Sequence, residues 1–202
     1  MARILLVRHA TCAPVGRALA GRASGIELSE AGRQQASALA ERLSGCGAVA
    51  VYASPLERAM QTAQALAARL RVPVTPLDGL LELDVGAWTG RTIAALDRDG
   101  GDEWKRFNSY RSGTRAPSGE LQLEAQTRAV RAVLRLAERH EANTVVAVTH
   151  ADIIRAILGH ALGVPIDLQH RLEIAPASVS VVEFAPWGSL VEGVNCGVDL
   201  NR

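Results

Sequence analysis

Ile4-Leu5-Leu6-Val7-Arg8-His9-Ala10-Thr11 decides how this chain is read, because four branched aliphatic residues run straight into an Arg-His pair. Four apolar residues with no polar alternation predict a strand covered on both faces. In open α/β sheets the carboxyl ends of such strands are where ligands bind. Folding alone gives little reason for a guanidinium and an imidazole at that point. Taken singly, however, Arg8 could cap a carboxylate and His9 could be a satisfied core histidine.

Two further stretches repeat the pattern. Residues 49–53 form a short apolar run that enters Ser54-Pro55-Leu56-Glu57, which reads as a capping box with proline at the first helical position. Arg58 then falls in the first turn of a helix striped by Ala59, Met60, Ala63, Leu66, Ala67 and Leu70. Residues 144–148 form another aliphatic strand, ending in Thr149-His150-Ala151-Asp152. Between these lie a helix opened by Ser29 and Glu30, a short strand near residues 72–74 and a long helix near 121–141. Strands near 178–184 and 190–195 flank the Pro186-Trp187-Gly188 turn. Strands alternating with helices predict an α/β three-layer sandwich on a mostly parallel, doubly wound sheet with right-handed crossovers. Residues 84–120, rich in glycine and carrying Trp88, Trp104, Phe107 and Tyr110, read as a small inserted helical cap within a single domain spanning 1–202.

Composition narrows the partners. Twenty-two Lys and Arg balance 21 Asp and Glu, and only Lys105 among the basic residues is lysine, so no basic tail or stripe suits a nucleic-acid backbone. The apolar run before Arg8 is too short for a signal-peptide core, and none later approaches the ~18–20 residues of a membrane span. A soluble cytoplasmic protein is expected, with no nucleic-acid or membrane partner and an oligomeric state that the sequence leaves open. Cys12, Cys46 and Cys196 are odd in number and form no C-x-x-C pair, so free thiols are expected rather than disulfides or a zinc site.

A parallel sheet places all its carboxyl ends on one edge. Arg8, His9, Arg58 and His150 would meet there with two helix N-termini, whose free N–H groups also favour anions. Such a cluster suits a phosphate dianion. The arginines would hold the equatorial oxygens while a neutral ring nitrogen attacks phosphorus in line. His9 is the candidate nucleophile and His150 a charged donor to the same oxygens, with no metal or cofactor required.

Leu6-Val7-Arg8-His9, Ser54-Pro55-Leu56-x-Arg58-Ala59-x-Gln61-Thr62-Ala63, Glu82-x-x-x-Gly86-x-Trp88-x-Gly90 and Val148-Thr149-His150-x-x-x-x-Arg155 resemble, in order and combination, the four motifs of the histidine phosphatase superfamily, phosphoglycerate mutase-like branch. The resemblance implies a phosphohistidine on His9, a phosphate pocket of Arg8, Arg58 and His150, and Glu82 as proton donor to the leaving group. Glu82 lies among Leu80, Leu81 and Leu83, where partial burial would raise its pKa toward the range of a general acid.

Three positions depart from the family pattern. Ala10 and Ala151 stand where glycine is usual, and Val15 stands where an asparagine is common. The alanines can still offer backbone N–H groups, but Val15 cannot replace an amide. The loop over residues 11–25 is therefore expected to hold substrate differently, with Thr11, Gly21 and Arg22 as candidates beside Ala151.

The short chain, with Asp84 and Trp88, looks more like the phosphatases than the mutases, including the broad-specificity and α-ribazole phosphate enzymes. The expected activity is metal-independent hydrolysis of a small-molecule phosphate ester. A 2,3-bisphosphoglycerate-dependent mutase is the runner-up, and a non-catalytic phospho-ligand binding module is the rival outside enzymology. Cys12 to Arg17 is one residue short of Cys-x5-Arg, Cys196 to Arg202 has no helix after it, and a metal site at His9, Glu82, Asp84, His150 and Asp152 would set cations beside arginines.

Overall fold

The computed structural model describes residues 1–13 and 18–196. Val15 lies outside them, so the reading of its missing amide has no structural counterpart. The first strand, β1 (Ala2–Arg8), lies in the middle of a six-stranded sheet and carries the predicted aliphatic run. It is followed by α1 (Glu30–Arg42), β2 (Ala48–Ala53), α2 (Glu57–Leu70) and β3 (Val74–Pro76). Next come α3 (Ile93–Asp99), α4 (Gly101–Ser109), α5 (Gln122–Arg139), β4 (Thr144–Thr149), α6 (Ala151–Leu162), β5 (Val179–Ala185) and β6 (Gly188–Cys196). The order across the sheet is β3-β2-β4-β1-β5-β6. The first four of these run parallel, whereas β5 and β6 form an antiparallel hairpin against β1.

Alternation of side chains along each strand explains the absence of a polar period. On β1, Leu5 and Val7 share one face with Val51, Ala53, Val146 and Val148, and α1 and α2 cover it through Leu39, Leu43, Ala59, Ala63 and Leu66. Ile4 and Leu6 share the other face with Val145 and Ala147, covered by α5 and α6 through Ala129, Val133, Ile153 and Ile157. Both faces are buried, so both must be apolar. Leu5 is fully buried. Leu5→Ala should therefore cost about 2–5 kcal/mol, read as a lower urea midpoint at unchanged slope.

Between residues 84 and 120 the chain forms α3, α4 and connecting loops. Trp88, Trp104 and Phe107 pack mutually, with Trp88 edge-on to both others at centroid distances of 5.4 and 5.1 Å. These aromatics belong to the same apolar cluster as α5, α6 and that sheet face.

The structure corrects the capping box at 54–57. Helix α2 begins at Glu57 with Leu56 at the N-cap and no side-chain cap, while Ser54 is buried beside His150. Ser29 does cap α1, accepting from the Gly32 N–H at 3.0 Å. Gly32 is required there, because a Cβ would lie 1.9 Å from the Thr11 carbonyl oxygen. The N-terminus of α1 thus rests directly on the loop that leaves β1.

Candidate active site

Parallel pairing of β1 with β4 sets Arg8 opposite Thr149, and pairing of β2 with β4 sets Ala53 opposite Val148. Residues 8–9, 54–58 and 149–152 consequently emerge on one edge of the sheet, as expected. They meet at a cavity of about 300 Å³ whose wall includes Arg8, His9, Arg58, Glu82 and Ala151.

His9 is 4 % exposed, and its Nδ1 lies 2.8 Å from the Ala10 carbonyl oxygen. A carbonyl can only accept, so Nδ1 carries the proton and Nε2 keeps its lone pair. Among the described residues Nε2 has no hydrogen-bond partner. Burial, helped by the charges of Arg58 and Arg8, lowers the His9 pKa to about 3 against the opposing carbonyl contact. The ring is therefore neutral, and its Nε2 lone pair unprotonated, over the whole working pH range.

The two arginines are held by carbonyls, leaving other donors free. Arg58 is buried and donates from Nη2 to the Gly21 carbonyl at 2.8 Å, while Arg8 donates from Nη1 to Ile174. Buried Arg58 Nη1, Arg8 Nε and His150 Nδ1 have no protein partner. Buried polar atoms are nearly always paired, so unpaired donors in a concave site mark a place for an acceptor. Burial lowers both guanidinium pKa values, with Glu82 opposing, and arginine remains charged at any working pH.

His150 lies behind His9, ring centroids 5.1 Å apart, with Nε2 2.8 Å from Ser54 Oγ. His150 was expected to be a charged donor, and its surroundings oppose that charge. Complete burial, then His9 and the neighbouring arginines, push its pKa well below the usual value, so His150 is neutral.

Glu82 lines the same cavity. Burial and the nearby Asp152 carboxylate push its pKa up to about 7, against the Leu83 N–H and the charges of Arg58 and Arg8. Burial alone would also raise Asp152, but Arg111 and Arg155, at 3.3 and 3.1 Å, outweigh it and hold that group ionised. Two carboxyl groups in one cavity are thus driven apart in pKa, one kept protonated near neutrality and the other charged. The main chain of Glu82 is clamped, its carbonyl accepting from Arg22 at 2.9 Å and Arg128 at 3.0 Å. Both arginines also bind Glu120.

The loop candidates fare unevenly. Gly21 lines the cavity and presents its carbonyl to Arg58. Ala151 lines it from the first turn of α6. Arg22 is engaged by Glu82, Glu120 and Asp84, and it serves the clamp rather than the cavity. Thr11 is turned toward α1, its N–H donating to Gln35 and its carbonyl accepting from Ser29. The Ala10 N–H, expected to be on offer, donates to Thr62 Oγ1 at 3.1 Å. Along α2, Glu57, Arg58, Gln61 and Thr62 each bind backbone between residues 10 and 28, so the polar side of this helix anchors that loop.

Arg111 and Cys12 also line the cavity and were not foreseen as site residues. Arg155, the last residue of the fourth motif, lines it too. For Arg111 the only prior signal was a basic residue in an aromatic-rich insertion.

The profile of the histidine phosphatase superfamily (branch 1) matches residues 4–197. A bifunctional protein of Mycobacterium tuberculosis is 36 % identical over 197 residues, covering 96 % of this chain, which spans only 53 % of that relative's length. Phosphoserine phosphatase 1 of Hydrogenobacter thermophilus is 30 % identical over 200 residues, covering 96 % of this chain and 92 % of the relative. Among solved structures, a mycobacterial glucosyl-3-phosphoglycerate phosphatase superimposes with a TM-score of 0.87 at 25 % identity, covering 96 % of this chain and 99 % of the other. With three motifs on one sheet edge, the fourth bringing Glu82 to the same cavity, and a family match over nearly its whole length, this chain belongs to branch 1 of the histidine phosphatase superfamily.

Proposed function

We propose that this chain is a phosphomonoesterase that hydrolyses small phosphorylated metabolites through a phosphohistidine on His9, with residues 84–120 capping the cavity. The observation that carries the reading is a neutral His9 with a free Nε2 between Arg8 and Arg58, whose buried N–H groups await an acceptor. In the first step Nε2 attacks phosphorus, the ester P–O bond breaks, and the Glu82 carboxyl protonates the departing oxygen. In the second, the Glu82 carboxylate takes a proton from water. The resulting hydroxide attacks the phosphohistidine, the P–N bond breaks, and inorganic phosphate leaves. Arg8, Arg58 and the N–H of neutral His150 bind the equatorial oxygens in both steps. A cavity of about 300 Å³ is at the small end for ligand sites and suits a small-molecule ester.

A phosphatase is favoured over a mutase because Arg111 and Arg155, the further cations of the cavity wall, both bind Asp152, whose charge offsets one of them and leaves less for a second acidic group of the substrate. Phosphate release from p-nitrophenyl phosphate, with and without chelator, tests the activity. Turnover unaffected by chelator and inhibited competitively by orthovanadate is expected, and activity lost to chelator and restored by a divalent metal would refute the mechanism. Phosphoryl exchange between 3-phosphoglycerate and a bisphosphoglycerate primer, faster than any hydrolysis, would make the chain a mutase. Arg58→Lys should lower kcat/KM about 10- to 100-fold, or ~1.4–2.7 kcal/mol. A point charge cannot hold the Gly21 carbonyl and a phosphate oxygen with two arms of a fork.

A further inference from the structure

A second pocket lies away from this site. Between α5 and the β2–β3 side of the sheet runs a groove of about 790 Å³, within the range of sites for drug-sized ligands. Tyr52, Leu77, Ala132 and Leu136 give it an apolar floor. Tyr52 is fixed there by a 2.8 Å hydrogen bond between its hydroxyl and His140 Nε2.

Along the wall, Arg131, Arg135 and Arg139 follow one another at four-residue spacing, all exposed. Among the described residues no hydrogen bond or ion pair joins any of the three to a partner. Several exposed arginines elsewhere are paired, Arg33 with Glu30, Arg69 with Glu41 and Arg115 with Glu124. Like charges one helical turn apart repel, so this row costs helix stability that a bound anion would recover. Arg128, one turn earlier on the same wall, points inward and donates to the Gly79 and Glu82 carbonyls and to Glu120.

We propose that this groove binds a small amphipathic anion, an aromatic or aliphatic body carrying a phosphate, sulfonate or carboxylate head, and that its occupancy is felt at Glu82 through Arg128. The apolar floor accounts for the body and the unpaired arginines for the head. An anion seated beside Arg128 competes with Glu120 for its guanidinium and so loosens the support of the Glu82 backbone. The binding claim stands on the groove alone, and only its effect on turnover rests on the proposed role of Glu82.

The probe is 8-anilinonaphthalene-1-sulfonate, which a phosphatase cannot consume, titrated by fluorescence into the full chain. Saturable binding at one site is expected, undisturbed by saturating orthovanadate and weakened at least tenfold in the Arg131→Glu/Arg135→Glu double variant, whose activity without probe stays at wild type. No saturable binding, equal binding by the double variant, or displacement by orthovanadate would overturn the site. Binding of an acidic peptide where the sulfonate fails would overturn it in favour of a protein partner. Saturating probe should lower kcat/KM at least threefold for an alkyl phosphate and less for p-nitrophenyl phosphate. An equal effect on both, or none, would break the link to Glu82 while leaving the site standing. A chain that hydrolyses no phosphate ester would refute the proposed activity without touching the binding result.

Discussion

His9→Ala is expected to abolish both turnover and the covalent adduct, with a loss in kcat/KM of at least ~10⁴-fold, about 5–6 kcal/mol. The size follows from what the cavity offers in its place. Cys12 lines the same wall, but burial raises its thiol pKa above the usual value, leaving little thiolate to attack. Neutral His150 sits behind His9 with one nitrogen occupied by Ser54. Direct attack by water is the only route left, and it forgoes the nucleophilic step altogether. Wild-type enzyme quenched in mid-turnover should carry a phosphate stable to base and labile to acid, as a phosphoramidate is. His9→Ala should lack it while melting within a few degrees of wild type, since the ring makes a local hydrogen bond to Ala10 and an edge contact with His150 and joins no wider network. An adduct that survives the substitution would move the nucleophile elsewhere.

The parts of this site that were legible in the sequence are those fixed by strand topology. Arg8, His9, Arg58 and His150 each follow an aliphatic run, and a parallel sheet can only deliver such residues to one edge. What was illegible depends on pairings between distant loops. Arg111 reaches Asp152 from 41 residues away, and Glu120 joins Arg22 across 98, with no local pattern to announce either contact. The same cause misdirected the reading of Thr11 and Arg22. Polar residues in a loop beside a nucleophile suggest substrate contacts, yet these two fasten the loop to α1 and to Glu82. Ser54 misled for a different reason: Ser-Pro-x-Glu has the local grammar of a helix cap, and only the neighbouring strand shows that its hydroxyl belongs to His150.

Glu82→Gln should divide substrates by leaving group. An alkyl phosphate departs as a strongly basic alkoxide that needs a proton in the transition state, whereas p-nitrophenolate leaves readily without one. General acid catalysis typically contributes ~10²–10⁴-fold, so kcat/KM is expected to fall on that order for alkyl phosphates and much less for p-nitrophenyl phosphate. The comparison belongs in kcat/KM, because hydrolysis of the phosphohistidine uses the same carboxyl as a base and would blunt the contrast in kcat. The pH dependence supplies an independent sign. Burial and Asp152 raise the Glu82 pKa to about 7, so the protonated acid is present below that pH and lost above it. Wild-type kcat/KM for an alkyl phosphate should thus decline as pH rises through about 7, a limb that His9 cannot produce, its pKa having been lowered to about 3. The substrate's own ionisation is common to both enzymes, so the part of the limb that disappears in Glu82→Gln belongs to Glu82. Measured from pH 4.5 to 8, an equal loss on both substrates would reduce Glu82 to a positioning contact, and no loss on either would remove it from the chemistry.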